Sequence, residues 1–322
     1  MPDSIEAMSP TRGASTIAIW SALAAVYVIW GSTYLAIAIA VQTLPPLLSA
    51  GVRFCVAGLV LLAFVAVRRG LKVRREQLIG AAIVGLLLLV GGNGFVVLAE
   101  RTVPSGLTAL IIASVPLWIV IFRRIAGDRI SASTFIGVAV GFAGVAFLVV
   151  PRGASGAVDP FGLGLLLIAT LSWALGTFLA PRLRMPNDSL LSTGIQQLAG
   201  GLVLVVAGAV IGEFGHLQPE TWSANSLLAM AYLVVFGSLV AFTAYSWLLQ
   251  HAPVSLVSTY AYVNPVVAVV LGALILAEPI TPSILVGAVI IVTAVAFIVS
   301  RESARQRAAR AAGPRAAASE AD

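Results

Sequence analysis

The chain has 322 residues, of which 60% are hydrophobic and only 10% are charged, and it carries a formal net charge of +6. Its mean hydropathy of +1.04 excludes a water-soluble globular protein and indicates an integral membrane protein. In a soluble protein this basic balance would suggest a nucleic-acid partner. Here the basic residues lie in short connections between apolar runs, so we expect a lipid bilayer and no nucleic acid.

The apolar runs predict ten transmembrane helices, because each has about the 20 residues that cross a bilayer core. Runs this long exclude the alternating strands of a barrel, so the expected fold is all-α. In chain order the helices are expected at residues 17–40, 46–67, 78–99, 105–123, 133–151, 161–181, 189–211, 226–248, 255–276 and 282–300.

The distribution of positive charge predicts the orientation in the membrane. If the N-terminus is cytoplasmic, 16 of the 19 basic residues fall in cytoplasmic segments, and only Arg53, Arg101 and Arg152 do not. The positive-inside rule therefore places both termini in the cytoplasm. Residues 301–322 mix Ala and Arg without an apolar face, and we expect a partly helical, largely disordered cytoplasmic tail.

The chain repeats itself at a spacing of about 143 to 150 residues. Residues 48–62 align with 191–205, residues 130–149 align with 280–299, and Trp30 falls on Trp173. The expected units are residues 1–155 and 156–300, with five helices each, so the second unit enters the membrane from the opposite side. Inverted repeats of this kind surround a site near the midplane in secondary transporters.

Polar and aromatic side chains interrupt the apolar helices at positions where such a site would lie. Trp30 and Trp173 are either cavity residues or anchors in the interfacial belt, and mid-span positions favour the cavity. The candidate cavity residues are Trp30, Ser32, Thr33, Tyr34, Arg53, Asn93, Trp118, Trp173, Gln196, Tyr260, Tyr262 and Asn264, with Pro116 and Pro265 as candidate bends or gates.

Arg53 is a charged residue about two turns into the second predicted helix. A charge inside a membrane is costly and usually faces a cavity or a partner. Arg53 therefore either binds a substrate carboxylate, extends to the lipid headgroups, or pairs with Glu100. Glu100, near the outer end of the third helix, is the one carboxylate that could couple transport to protons.

Several short motifs lie along both repeats of the chain. They are Trp30-Gly31-Ser32-Thr33-Tyr34, Pro45-Pro46 before Arg53-Phe54, Asn93, Val103-Pro104-Ser105-Gly106, Pro116, Asn264-Pro265 and Ala277-Glu278-Pro279. Taken together in their order and spacing, these motifs resemble the EamA family of the drug/metabolite transporter superfamily, and within it the YedA-like exporters. The resemblance implies a ten-helix carrier of a bacterial-type inner membrane, which exports small metabolites, amino-acid-like or drug-like, through a central cavity.

The sequence has no nucleotide-binding motif, metal-ligand cluster or catalytic triad. We therefore expect no cofactor, metal site or catalytic residue, and transport driven by an ion gradient, the substrate gradient or exchange. The expected partner is a small-molecule substrate, and the expected assembly is a monomer or homodimer. Two alternatives stay open, an intramembrane enzyme acting on a lipid-linked substrate and a non-transporting receptor or assembly subunit.

Overall fold

A computed structural model describes residues 15–128, 130–149 and 159–319, and all regular structure in these ranges is helical. The expected boundary between the repeats, at residues 155 and 156, lies outside them, as do Arg12, Arg129 and Arg152. We number the helices α1 (Thr16–Ala40), α2 (Pro46–Arg69), α3 (Arg75–Ala99), α4 (Ser105–Ile125), α5 (Ala132–Val149), α6 (Pro160–Leu179), α7 (Ser189–Val210), α8 (Ala224–His251), α9 (Val254–Val257 and Tyr260–Leu276) and α10 (Pro282–Ser319).

Eight of the described helices are long and apolar enough to cross a membrane, and α5 and the longer part of α9 are shorter apolar helices. Large apolar side chains cover the outside of the bundle, including Leu59, Val206 and Leu274. In water such a surface would be unfavourable, whereas in lipid it is the expected one. The architecture is that of an all-helical integral membrane protein.

Two of the helices contain a π-helical segment, at Leu86–Gly94 in α3 and at Leu233–Phe242 in α8. These helices occupy the same position in the two sequence repeats, so the irregularity is duplicated. A π-helical segment weakens the regular backbone hydrogen bonding and is often found at functional sites. Both segments contribute to the cavity described below.

The fourth helix is not continuous, contrary to the sequence prediction. The α4 helix is interrupted at Ala113 and Ser114 and resumes at Val115, so Pro116 lies in the first turn of its second part. Proline is accommodated there because the backbone nitrogens of the first turn donate no hydrogen bond within the helix. In α9 the interruption falls at Ser258 and Thr259, and Pro265 lies inside the longer helix.

Helices α2 and α7 occupy the same position in the two sequence repeats. They pack antiparallel to each other, with their backbones in close contact. A Cβ at Gly51 would lie 2.9 Å from the carbonyl oxygen of Gly201, and a Cβ at Gly201 would lie 2.9 Å from that of Gly51. Gly58 and Gly194 exchange the same contact at 3.0 and 3.4 Å. Because Gly51 aligns with Gly194 and Gly58 with Gly201, the contacts are related by an approximate two-fold axis.

A second pair of repeat-related helices, α5 and α10, shows the same exchange. A Cβ at Gly137 would contact Ile298, and a Cβ at Gly287 would contact Leu148. Gly137 aligns with Gly287, and Leu148 aligns with Ile298, at a spacing of 150. Two separate helix pairs therefore relate the two repeats by the same kind of two-fold contact.

The two ends of the bundle differ in charge. Arg69 pairs with Asp188 at one end, which we call the arginine-rich end; its basic residues are Arg68, Arg69, Lys72, Arg74, Arg75, Arg123, Arg124, Arg182, Arg184 and Arg301. The opposite end, which we call the glutamate end, carries Glu100, Glu213 and Glu278.

The C-terminal segment is more helical than its prediction. The sequence predicts a partly helical, largely disordered tail from residue 301, and α10 continues to Ser319. Ala and Arg are among the strongest helix formers, and they dominate this segment. A helix that already spans residues 282–300 supplies the nucleus, so extension needs no new nucleation.

We predict that Gly58→Ala lowers the melting temperature of the purified protein in detergent. The new Cβ would lie 2.7 Å from the backbone nitrogen of Leu198, which cannot move without shifting α7. Overpacking of this kind costs about 1–3 kcal/mol. Gly164→Ala in α6 is the control, because nothing lies within 4 Å of its Cβ position. Equal melting temperatures for the two variants would contradict the close contact of α2 and α7.

Candidate functional site

Trp30 lies at the centre of an aromatic cluster between the two repeats. Its ring makes an edge-on contact with Trp173, with ring centroids 5.4 Å apart, and lies 4.8 Å from Tyr245 and 5.5 Å from Tyr260. The indole nitrogen of Trp30 donates to the carbonyl oxygen of Gly237, at 3.4 Å, in the π-helical segment of α8. Trp30 is 8% exposed, so it is an interior residue and not an interfacial anchor.

A central cavity of about 50 Å³ lies beside this cluster. This volume admits a few water molecules but no metabolite, so the centre of the bundle is nearly closed in this conformation. The cavity is lined by both repeats and by both π-helical segments. Of the predicted site residues, those that line it are Trp30, Thr33, Tyr34, Arg53, Asn93, Trp173 and Tyr260.

Arg53 is the one charged side chain among the described residues that line the central cavity, and it is only 4% exposed. Its Nε donates to the hydroxyl of Ser238, at 2.8 Å, and its guanidinium carbon lies 4.7 Å from the centre of the Phe54 ring. Among the described residues no carboxylate forms an ion pair with Arg53. The structure thus shows neither the pairing with Glu100 nor the extension to headgroups that the sequence left open.

Two further groups on the cavity wall are buried without a hydrogen-bond partner. They are the side-chain oxygen of Asn93, an acceptor, and the indole nitrogen of Trp173, a donor. Buried polar groups are usually paired, and those that are not call for an explanation such as a bound molecule. Together with Arg53, the cavity therefore offers a cation, a neutral donor and a neutral acceptor beside aromatic rings.

Three of the predicted site residues lie away from the central cavity and contribute to helix packing. The Ser32 hydroxyl is 2.6 Å from that of Tyr232 on α8. The indole nitrogen of Trp118 donates to the hydroxyl of Thr170 on α6, at 3.1 Å. Tyr262, in the first turn of the longer part of α9, packs against the hydrophobic core.

Asn264 and Gln196 are also outside the central cavity. The Asn264 amide, in the orientation that its surroundings require, donates to the backbone carbonyls of Tyr27 and Tyr260, at 3.1 and 3.3 Å. It therefore joins α9 to α1. Gln196 donates to Ser192, at 3.0 Å, and lines a different cavity at the arginine-rich end.

The sequence reasoning missed three residues of α8 that build the site. Ser238 holds Arg53, while Phe242 and Tyr245 contact Trp30. They lie at positions i, i+4 and i+7, which is the spacing of one helix face. An aromatic and polar stripe in an otherwise apolar helix was therefore the signal that could have identified them.

Larger cavities open at the arginine-rich end. One of about 470 Å³ is lined by residues between α6 and α7 and at the end of α8, including Gln196 and His251. Another of about 230 Å³ is lined by Pro116, Arg123 and Arg182, among others. Two cavities among the described residues toward the glutamate end are each only about 10 Å³. The described part of the bundle is thus more loosely packed at the arginine-rich end.

Two carboxylates seal the glutamate end by bridging the repeats. Glu213 accepts hydrogen bonds from the backbone nitrogens of Leu47 and Leu48, at 3.0 and 2.7 Å. Glu278 accepts from those of Ser105 and Gly106, at 2.8 and 3.1 Å. Each carboxylate of the second repeat thus caps the N-terminus of a long helix of the first, where the helix dipole and the free N–H groups favour an anion. We call these two contacts the glutamate clamps.

The model of the family described as "EamA-like transporter family" matches residues 16–150 and again residues 160–300. The chain belongs to this family. Among the relatives of this EamA protein, the inner membrane transporter YedA of Escherichia coli K12 is 42% identical over 255 residues, 79% of this chain and 81% of YedA. The transporter YvbV of Bacillus subtilis is 28% identical over 289 residues, 89% of this chain and 93% of YvbV.

A solved crystal structure shares the fold of this EamA protein, with a TM-score of 0.65 at 20% identity, over 91% of this chain and 99% of the other. The family and the relatives are named as transporters, so the predicted family and the non-enzymatic function are confirmed. The alternative of an intramembrane enzyme is thereby set aside.

Glu100 immediately follows α3 and is 6% exposed, and neither oxygen of its carboxyl has a hydrogen-bond partner. Burial, and then the nearby negative charge of Glu278, raises the pKa of this carboxyl well above its usual range. The neutral carboxyl is therefore favoured in the folded EamA protein.

We predict that Glu100→Gln flattens the pH dependence of stability. Since the folded state holds the Glu100 proton more tightly, the free energy of unfolding falls as pH rises from about 4.3, the usual glutamate pKa, through the raised pKa. Melting temperatures of the wild type should decline across this window, and those of Glu100→Gln should decline less. Glu220→Gln, at an exposed site, is the control. Parallel curves for the wild type and Glu100→Gln would contradict the raised pKa.

Proposed function

We propose that this protein is a secondary transporter with ten membrane spans, arranged as two inverted five-helix repeats of residues 1–155 and 156–300. It exports small polar or amphipathic molecules by alternating access through the central cavity. The observation that carries the proposal is the position of this cavity between two repeats whose paired helices exchange contacts about an approximate two-fold axis. In transporters with this symmetry, exchange of the conformations of the repeats moves the opening from one face to the other.

The unequal ends of the bundle support alternating access. Glu278 clamps the first repeat, whereas Asp128, which aligns with it at a spacing of 150, contacts Arg123 of its own repeat, at 2.8 Å. Among the contacts of the described residues, this repeat position bridges the halves at the glutamate end. The described ion pairs between the halves at the arginine-rich end, Arg69 with Asp188 and Arg184 with Glu76, are largely exposed to solvent, and such pairs add little stability.

The arginine-rich end supports an orientation with both termini in the cytoplasm, as the positive-inside rule requires. This orientation places the glutamate clamps on the outer face. The relative YedA is named as an inner membrane transporter, which supports the same location for this protein. The conformation described here would then be closed to the outside and loosely packed toward the cytoplasm, which is where an exporter loads its substrate.

The energy source in this proposal is an ion gradient, the substrate gradient or exchange. Glu100 is the candidate for proton coupling, because its carboxyl is buried at the outer end of α3 without a partner. Opening of the outer face would expose it to water and favour release of its proton.

Transport by reconstituted protein tests the proposal. Proteoliposomes would be loaded with amino acids, related organic acids or amphipathic amines, and efflux followed under an imposed gradient. We expect flux of at least one class, and Trp30→Ala should reduce it at least about tenfold, equivalent to about 1.4 kcal/mol. Trp20→Ala is the matched control, because Trp20 lies on the same helix but is 55% exposed. Binding without flux would instead indicate the receptor alternative.

The glutamate clamps yield a second prediction. In a Cys55→Ser background, Asn93→Cys would place a thiol on the wall of the central cavity. The double variant Glu213→Gln with Glu278→Gln should increase the rate at which this thiol is alkylated by an impermeant maleimide added to the outside. We expect an increase of about fivefold to tenfold, because each lost charge-assisted hydrogen bond weakens the closed state. Glu220→Gln, an exposed glutamate at the same end, is the control. An unchanged or slower rate would show that the clamps do not close this face.

A further inference from the structure

We infer that the transported molecule is a carboxylate with an apolar or aromatic body, and that Arg53 binds its carboxylate. This inference rests on the proposed function of the central cavity as a transport site. It names one chemical class of substrate for that cavity, and one residue, Arg53, that recognises the carboxylate of the substrate.

The Arg53 guanidinium is buried, and no described carboxylate forms an ion pair with it. A buried cation without a counter-ion is costly, and natural proteins pair it with a carboxylate or another anion. Arg53 has five N–H donors, and its hydrogen bond to Ser238 uses only the Nε donor. The remaining donors form the planar fork that binds a carboxylate through two parallel hydrogen bonds.

The surroundings hold the guanidinium in place at the cavity wall. A Cβ at Gly237 would lie only 2.8 Å from Nη2 of Arg53, so the absence of a side chain there makes room for the guanidinium. Ser238, the next residue, is fully buried and fixes Nε, while the Phe54 ring lies against one face. A cation that is oriented before binding loses less entropy when a ligand arrives.

The rest of the described cavity wall is mostly apolar and aromatic. Trp30, Trp173 and Tyr260 present aromatic rings suited to an apolar or aromatic body. No acidic side chain is among the described residues that line the cavity, so a cationic ligand would meet Arg53 without a counter-charge. The free acceptor of Asn93 and the free donor of Trp173 would bind neutral polar groups on the same molecule.

The charge is present in one repeat only. The residue that aligns with Arg53 is Gln196, which is neutral and donates to Ser192. One carboxylate site per protein is therefore expected, in contrast to the duplicated helix contacts of the scaffold.

The test uses three probes with the same phenyl body: 3-phenylpropionate, its amide and 3-phenylpropylamine. Flux in proteoliposomes and quenching of tryptophan fluorescence by each probe would be measured for the wild type, Arg53→Gln and Arg53→Lys, with Arg68→Gln as the matched control at an exposed arginine. We expect the wild type to favour the carboxylate over the amide and the amine. Both Arg53 variants should lose about 10- to 100-fold in carboxylate binding and flux, as removal of a charge-assisted pair predicts.

The outcomes separate this inference from the proposed function. Equal or preferred flux of the amine, or carboxylate flux unchanged in Arg53→Gln, would overturn the carboxylate class and leave the transporter standing. Absence of flux and of quenching for all three probes, with the wild type active on another class, would also overturn the inference. Absence of flux for every class would overturn the proposed function as well. Melting temperatures of the Arg53 variants show whether a loss reflects unfolding.

Discussion

The contact between α2 and α7 is the interaction on which the rest of the structure depends. Four glycines, Gly51, Gly58, Gly194 and Gly201, bring the two helix backbones together, and any larger residue would separate them. In lipid there is no hydrophobic force between helices, so close packing of small residues supplies the association energy. Arg53 lies two residues after Gly51, and its position beside the cavity is therefore fixed by this contact.

The scaffold is nearly symmetric, whereas its polar chemistry is not. The packing of the paired helices and the π-helical segment occur in both repeats. The buried arginine and the hydroxyl cluster after Trp30 occur in the first repeat only, and the glutamates of the clamps occur in the second repeat only. This division has a physical reason. In the proposed mechanism, exchange of the two conformations would require equivalent packing in the two repeats, whereas recognition of a substrate would require groups arranged for one orientation of one molecule.

The sequence predicted the helices to within a few residues, because the apolar runs and their charged boundaries are long and distinct. It also predicted the pairing of Trp30 with Trp173, since ungapped repeats are visible without coordinates. The break at Ala113 and Ser114 was not predicted, because the local sequence has no strong signal for it. The tail was predicted to be only partly helical, because its lack of an apolar face outweighed its Ala and Arg content in the prediction. The break lies near Pro116, which the sequence indicated only as a bend.

The individual site residues were harder to predict, because polarity does not show which way a side chain points. Asn264 and Ser32 are as polar as Asn93 and Thr33, yet they join helices and do not face the cavity. Tyr245 was missed since its role depends on contact with Trp30 from another repeat, at a separation of 215 residues that no local pattern reveals.

The most direct test of the central claim, that the two repeats exchange conformations, is a pair of spin-label distance measurements in liposomes. One pair would join Gln42 and Glu220 at the glutamate end, and the other would join Leu71 and His251 at the arginine-rich end, all at exposed positions. The account predicts that addition of a transported substrate populates a longer distance at the glutamate end and a shorter one at the arginine-rich end. Distances that stay fixed, or that change in the same direction at both ends, would contradict it.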